Sequence, residues 1–366
     1  MMETHGMLED AAERFFRSRV DTASLLAFEQ GGLDEELRGE AAALGLTRPA
    51  ESTEPQEAFR AGALVLRVGG RHAAPLPLAE EIVAAQLASA AGIELPAGIV
   101  GVGLDYRAPR DSGMWSCEVP FGRNCGHFLV ARPGPQGVEL ALLATAGATS
   151  LASENVAGEP RDRLSFDKDD ALARVHVAMP EDIVSTLLAA ARTSQMAGAL
   201  ETILALAVEY AREREQFGRK IGKFQAIQQQ LAILAGQVAA AGVAAADAAR
   251  ALDQRGLPKK TFGALDDPAF EIAVAKVVVG EAAEFGPRIA HQVLGAIGFT
   301  HEHRLHFFTR RLWAWRAECG SAASWAQRLG AFGLDGETGG LWEILTDRSG
   351  ESGSPLPPQP GDTPKD

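Results

Sequence analysis

Tyr210 to Ala232 reads YAREREQFGRKIGKFQAIQQQLA, and how this stretch divides decides how the chain folds. It starts as the end of an amphipathic helix, passes through a charged turn and resumes as a second, glutamine-rich helix. Arg214, Gln216, Phe217 and Gly218 crowd into that turn. A guanidinium offers a fixed fork of donors to phosphate oxygens. An aromatic ring can lie against a flat ligand, and a glycine lets a ligand approach the backbone closely. The plain alternative is a solvated arginine on a turn whose ERER sequence makes its own ion pairs.

Working outward, four long helical segments can be read at roughly 181–214, 224–254, 268–294 and 301–317, with Asp267–Pro268 as a start signal for the third. Short connections between long amphipathic helices predict an antiparallel bundle. Upstream, from about Ile93, glycine and proline become frequent. Short β-leaning runs follow at Ile99 to Val102, His127 to Ala131, Val138 to Leu143 and Ala173 to Val177. That region is short for a closed barrel and reads as a trimmed, irregular β domain. Residues 1–92 read as helical: Met7 to Phe16, Leu33 to Leu46, and Leu76 to Ala91 with Pro77 near its start and Gly92 after its end, with a polar linker over 47–58. The tail, 347–366, is rich in Pro, Gly and Ser and is expected to be disordered. The fold class is therefore mainly α with a small β domain.

Composition excludes several functions. The chain has 366 residues and a net charge of −13, which opposes a nucleic-acid partner. Arg212, Arg214, Arg219 and Lys220 can still make a local anion site. Three cysteines without a CxxC argue against a disulfide framework and for a reducing cytoplasm. The N-terminus lacks the apolar run of a signal peptide. The most apolar stretch, Leu187 to Val208, is interrupted by Arg192, Gln195 and Glu201, so it reads as a soluble helix and not a membrane span. His301, His303 and His306 do not share a helix face, so a capping role is expected and no metal site. Gly98 to Tyr106, GIVGVGLDY, does not fit a Rossmann fingerprint. Trp313 and Trp315, in RRLWAWR, are expected to pack in the bundle under arginine stems; Arg310 and Arg311 could alternatively meet a ligand phosphate.

The pattern YAxxRxQFGxxIxxFQxxQxxLA, followed by HQVLGAIGFTHEH at His291 to His303, resembles the acyl-CoA dehydrogenase family, and GRHAAPLPLAEE at Gly70 to Glu81 resembles its small bacterial members. The likeness covers about residues 60–330 and is strongest in the C-terminal half. Its nearest counterparts are the small actinobacterial α2β2 enzymes that oxidise CoA thioesters of steroid side chains. The resemblance implies a helical N-domain (1–92), a reduced β middle domain (93–178) and a C-terminal four-helix bundle (179–346). It implies FAD lying across a subunit interface. Arg214 would face the pyrophosphate, with Gln216 beside it, Phe217 near the rings and Gln225 on the following turn. Gln292, Gly295 and Ala296 would lie along the ADP part of a neighbour's cofactor.

The implied reaction is α,β-dehydrogenation of an acyl-CoA, which needs a positioned general base. The family's usual glutamate position falls here on Cys319, followed by Gly320 and Ser321. Glu318 stands one residue earlier, about 100° away round a helix. The alternative base position, on the first bundle helix, falls on Leu188. A thiol is a poor base unless its pKa is lowered. The middle-domain segments that contact flavin in catalytic members have no counterpart between Ile93 and Val177; Trp115 lacks their neighbours, and a family glutamine falls on Ala323. Contacts to a neighbour's cofactor are kept while those to a chain's own flavin and substrate are lost. The expectation is a non-base-bearing subunit of a heteromer. Its partners would be a homologous catalytic subunit, an acyl-CoA and an electron-transfer flavoprotein. Two alternatives stand beside it: a self-sufficient homomeric enzyme using Glu318, and a helical scaffold that has lost flavin.

Overall fold

The computed structural model describes residues 2–105, 114–134, 137–167, 170–259 and 267–334. The expected disorder of 347–366 lies outside them, as does the end of the expected bundle domain, 335–346.

Five helices open the chain: α1 (Met2–Arg19), α2 (Thr22–Gly31), α3 (Glu35–Ala43), α4 (Ala58–Arg71) and α5 (Leu78–Ala91). Asp21 and Asp34 cap α2 and α3 by accepting from backbone N–H groups in the first turn. The stretch 47–58 is not extended linker. It folds into two short 3-10 turns, Pro49–Ser52 and Pro55–Glu57, each started by a proline whose fixed φ suits a first helical position. α4 is hard to read because Gly62, Gly69 and Gly70 lower its propensity. Those glycines are there for packing. A Cβ on Gly70 would stand 2.0 Å from the Gln195 carbonyl oxygen, and one on Gly198 would stand 1.8 Å from that of Arg67. The two helices meet backbone to backbone.

Among the described residues, seven strands follow: β1 (Val100–Leu104), β2 (Met114–Pro120), β3 (His127–Gly134), β4 (Gly137–Ala144), β5 (Thr149–Leu151), β6 (Arg161–Asp167) and β7 (Ala171–Val177). They form one sheet of order β1-β3-β4-β7 and another of order β2-β6-β5. β1 runs parallel to β3, with Val102 opposite Leu129, and the other ladders are antiparallel. Trp115, Phe128 and Phe166 fill the space between the sheets. The other face of the first sheet, including Val102, Leu129 and Leu140, joins the helical core.

The C-terminal region is α6 (Ile183–Glu213), a tight hairpin of β8 (Glu215–Gln216) and β9 (Arg219–Lys220), then α7 (Gln225–Arg255), α8 (Ala269–Leu294), α9 (Leu305–Ala317) and α10 (Ala322–Leu334). α10 is a fifth helix beyond the four expected, as long as α9. It is docked by Trp325 and by Phe332, which packs on Phe270 of α8. α6 is buried over most of its first half, including Arg192, Thr193, Ser194 and Gln195. α7 is the opposite case. It is long and apolar enough by composition to cross a membrane, yet its most apolar window is only 28% buried, with Ile233 and Val243 facing outward. It packs on α6, α8 and α4, and the remainder of its surface presents an alanine-rich face.

Candidate functional site

Two hollows lie at opposite ends of α6. The first surrounds the β8–β9 hairpin and has a volume of about 760 Å³. Its wall brings together Arg214, Gln216 and Phe217 with Gln292, Gly295 and Ala296. Six of the seven residues singled out for cofactor contact thus share one wall, although about 80 positions separate the two groups. Gln225, the first residue of α7, is exposed and does not line it.

The hairpin is built to project a ring. Phe217 and Gly218 are its two-residue loop, and both have positive φ, 53° and 76°. Such a loop matches the twist of the flanking strands and favours Asn-Gly. A phenylalanine there costs roughly 1–2 kcal/mol in backbone strain. The ring is also 91% exposed, touching Phe224 edge-on at a centroid distance of 6.2 Å. Strain and exposure together, on a hydrophobic side chain, serve nothing in the packing of the described residues. Arg219 lies 4.2 Å from the Phe224 ring centroid and steadies the base of the hairpin. Arg214 has no carboxylate partner among the described residues. Gly295, at φ 62°, has nothing within 4 Å of where a Cβ would be, leaving backbone open to the hollow. An available guanidinium, a presented ring and bare backbone suit a phosphate-linked nucleotide, so these residues fit a dinucleotide cofactor.

The second hollow, about 320 Å³, lies between β1, β2, β6 and α6. Leu188 and Cys319 both line it, so the two positions where a base is expected do converge. Neither carries a carboxylate. Glu318 lines the same hollow, but in a clamp. Arg161 donates to its Oε1 from Nε and Nη2 at 2.8 and 2.6 Å, and Arg192 donates to Oε2 from Nε at 2.7 Å. Burial pushes the Glu318 carboxyl up, but Arg192 and Arg161 overcome that and hold it at about 2. The clamp is one link in a buried chain. Arg192 also donates to Glu80 at 2.5 Å and to Gln195 at 2.6 Å. Arg161 reaches Glu159 at 3.0 Å, and Glu159 accepts from Trp315 at 2.9 Å and pairs with Arg311 at 3.2 Å. Burial drives the Cys319 thiol up to about 11, so it is not a base near neutrality. Lys276, itself buried, donates to the Trp315, Arg316 and Glu318 carbonyls at 3.2, 3.3 and 2.7 Å. It thereby caps the end of α9 and fixes the corner where Cys319 turns through a φ of 56°. Desolvation lowers the Lys276 ammonium to about 8, which leaves it charged at neutral pH. One further carboxylate, Glu118 of β2, stands on the exposed rim of this hollow.

The weaker sequence signals resolve structurally. His303 Nδ1 accepts from the Leu305 N–H at 3.2 Å, a cap for α9, and no group able to hold a metal occurs among the described residues. Trp315 is buried with Arg192 over its ring at 5.8 Å, whereas Trp313 departs from the expected packing: it is 41% exposed and stacks on His291. Arg311 is buried against Glu159 and Arg310 is paired with Glu29, so neither is turned toward a CoA phosphate. What the sequence did not disclose is the clamp. Arg161, Arg192, Glu80 and Lys276 come from four elements, and the one signal was Arg192 breaking an apolar helix.

With that geometry in place, comparison with known proteins is specific. Residues 182–333 match the family described as Acyl-CoA dehydrogenase, C-terminal domain. Acyl-CoA dehydrogenase FadE34 of Mycobacterium tuberculosis is 36% identical over 155 residues, 41% of this chain and 20% of that protein. Acyl-CoA dehydrogenase FadE27 of the same organism is 30% identical over 244 residues, 65% of this chain and 63% of that one. The chain therefore spans less than two thirds of either relative. Among solved structures, a variant of the Tcur3481-Tcur3483 steroid ACAD superposes with a TM-score of 0.77 at 24% identity, over 90% of this chain and 97% of that one. The ChsE4-ChsE5 complex from Mycobacterium tuberculosis gives 0.75 at 22% identity, over 90% and 97%. At those identities the two structures speak for the fold.

Proposed function

We propose, from the premise that residues 182–333 are an acyl-CoA dehydrogenase C-terminal domain in a chain with that family's fold, that this protein is the non-base-bearing subunit of a flavin-dependent acyl-CoA dehydrogenase. It completes the FAD site of a homologous catalytic subunit. The observation that carries this is the contrast between the two hollows. The hairpin hollow keeps an available arginine and a presented ring, while the other has Leu188, a high-pKa Cys319 and a neutralised Glu318 where a base is needed.

Distance supports the intersubunit reading. From Leu188 to Tyr210 along α6 is about 33 Å at 1.5 Å per residue. A dinucleotide whose phosphates meet Arg214 cannot place its reactive ring over this chain's own Leu188 and Cys319. It has to reach into a neighbour. When bound, flavin would accept hydride from the β-carbon of the thioester. This chain's part is to hold the phosphates through Arg214, to cover the cofactor with Phe217 and to approach it closely at Gly295. The α-proton is taken by the partner's base. A useful general base has a pKa near the working pH, and Glu318 is held several units below it. An electron-transfer flavoprotein would take the electrons from the bound cofactor. A steroid side-chain thioester is the proposed acyl group, supported by the steroid enzyme among the structural neighbours. The outward face of α7 supports assembly through the bundles.

The test is reconstitution. Mixing the chain with its partner should yield FAD binding and turnover, both reduced by Arg214→Ala. Glu318→Gln and Glu118→Gln in this chain should leave turnover nearly unchanged. Full activity of the purified chain alone would refute the proposal, and loss of turnover in either glutamine variant with FAD retained would hand the base role to that residue.

A further inference from the structure

A third hollow, of about 200 Å³, lies between α1, α4 and α7 and shares no lining residue with the two described above. On α4, Arg60 and Arg67 stand at the two ends of one stripe, with Ala63 and Leu64 between them. On α7, Gly242, Ala245, Ala246 and Ala249 repeat the same spacing and make a smooth bed with no polar side chain. His5 and Glu9, one turn apart on α1, close the side. The charges of this wall are already matched. Arg60 donates from Nε to Asp253 at 2.7 Å, Arg67 from Nε to Glu201 at 2.7 Å, and Glu9 pairs with Arg71 at 3.0 Å. Hydrogen bonding is not matched. A guanidinium carries five N–H donors, and these bonds use only part of them. His5 Nε2 is buried without a hydrogen bond, 3.6 Å from Glu57. Ser194, 3% exposed at the wall, has its hydroxyl on the Ala190 carbonyl at 3.4 Å, the outer limit of such a bond.

We propose that this hollow is a binding site for an uncharged, elongated molecule with an apolar middle and a hydrogen-bond-accepting oxygen at each end. The site stands apart from the cofactor reading above and does not depend on it. Seven residues of α4 set Arg60 and Arg67 about 10 Å apart. The bed between them is apolar, so the ligand that fits is a hydrocarbon body of about that length. The matched charges decide against an ion. An anion would meet Asp253 or Glu201 beside each arginine, and a cation would compete with the arginines for those carboxylates. A neutral oxygen accepts a spare N–H at either end and leaves both pairs intact. Gly242 leaves room for one end group: Arg67 Nη2 lies 3.9 Å from where a Cβ on it would stand. His5 and Ser194, short of partners, can each give a further bond.

The experiment is calorimetric titration of the full-length chain with three probes of one chain length: octanediol with a hydroxyl at each end, octanol with a single hydroxyl, and octanoate. Octanediol is expected to bind roughly fivefold more tightly than octanol, the worth of one added hydrogen bond, and octanoate no better than octanol. Arg67→Met should bring octanediol down to the level of octanol and leave octanol itself unchanged. Glu201 keeps Arg71 as a partner at 2.6 Å in that variant, and retained octanol binding reports an intact fold. Ala246→Leu, at an exposed position, should fill the bed and weaken both alcohols by roughly tenfold. Equal binding of octanediol and octanol, tighter binding of octanoate than of octanediol, or octanediol binding indifferent to either substitution overturns the site, as does no binding of octanediol at all. None of these outcomes bears on FAD uptake with the partner, so the flavin reading stands or falls separately.

Discussion

Phe217 and Glu318 carry opposite messages. Phe217 is kept at a stability cost in a position that suits asparagine. Phe217→Asn would give the hairpin its preferred Asn-Gly loop and is expected to raise stability by about 1 kcal/mol, read as a higher urea midpoint. The same change should lower FAD retention by the assembled enzyme, read as flavin absorbance eluting with the protein on gel filtration. Such a trade-off is the one expected where function holds strain, and a pure gain in stability would mean that the ring has no ligand. Glu318 is kept for the clamp. Its folded pKa, about 2, lies below its ordinary 4.5, so its contribution is present above pH 4.5 and is lost as pH falls toward 2. That difference is worth on the order of 3 kcal/mol. Glu318→Gln should flatten the loss of stability over that window in an acid-unfolding series. It should also lower stability at neutral pH, because Arg161 and Arg192 lose their shared partner.

Among the elements, the contact of α4 on α6 is the tightest and the least legible. The α4 sequence, with three glycines in its last ten residues, argues locally against a helix; a Cβ would stand 2.0 Å from the Gln195 carbonyl oxygen at Gly70, and 2.8 and 3.0 Å from Leu78 and Ile82 of α5 at Gly69 and Gly62. Gly198→Ala is therefore expected to destabilise the chain by about 3 kcal/mol, at the upper end of overpacking costs, measurable as a fall in melting temperature. By contrast the hairpin hollow could be read in advance, because its residues fall in two short, contiguous motifs whose helical context is plain. The second hollow could be read only in part. Leu188 and Cys319 follow from counting along motifs, but the Glu80–Arg192–Glu318–Arg161–Glu159 chain joins the N-terminal helices, the sheets and the bundle across long stretches of sequence. β2 and β6 were missed for a related reason. Their ladder, with Trp115 opposite Phe166, carries few β-branched residues, and β6 opens with the buried charges Arg161 and Asp162, which find partners only in the folded chain.

For the whole molecule, the proposed assembly runs through the exposed side of α7. Ile233 and Val243 are 50% and 72% exposed, so changing both to aspartate should leave the fold of the single chain intact. The pair of changes should block assembly, seen as a monomer by light scattering where the unaltered chain associates; an unchanged mass would move the interface elsewhere.

The placement of the two hollows at opposite ends of one long helix has a practical result. Two copies of this polypeptide, paired as the catalytic pair would be, could each lend a nucleotide grip to the other and still have nothing to deprotonate a thioester. Any flavin that such a preparation held would keep its colour on addition of acyl-CoA. Pigmentation and bleaching are then separate properties here, and only bleaching certifies that the right companion is present.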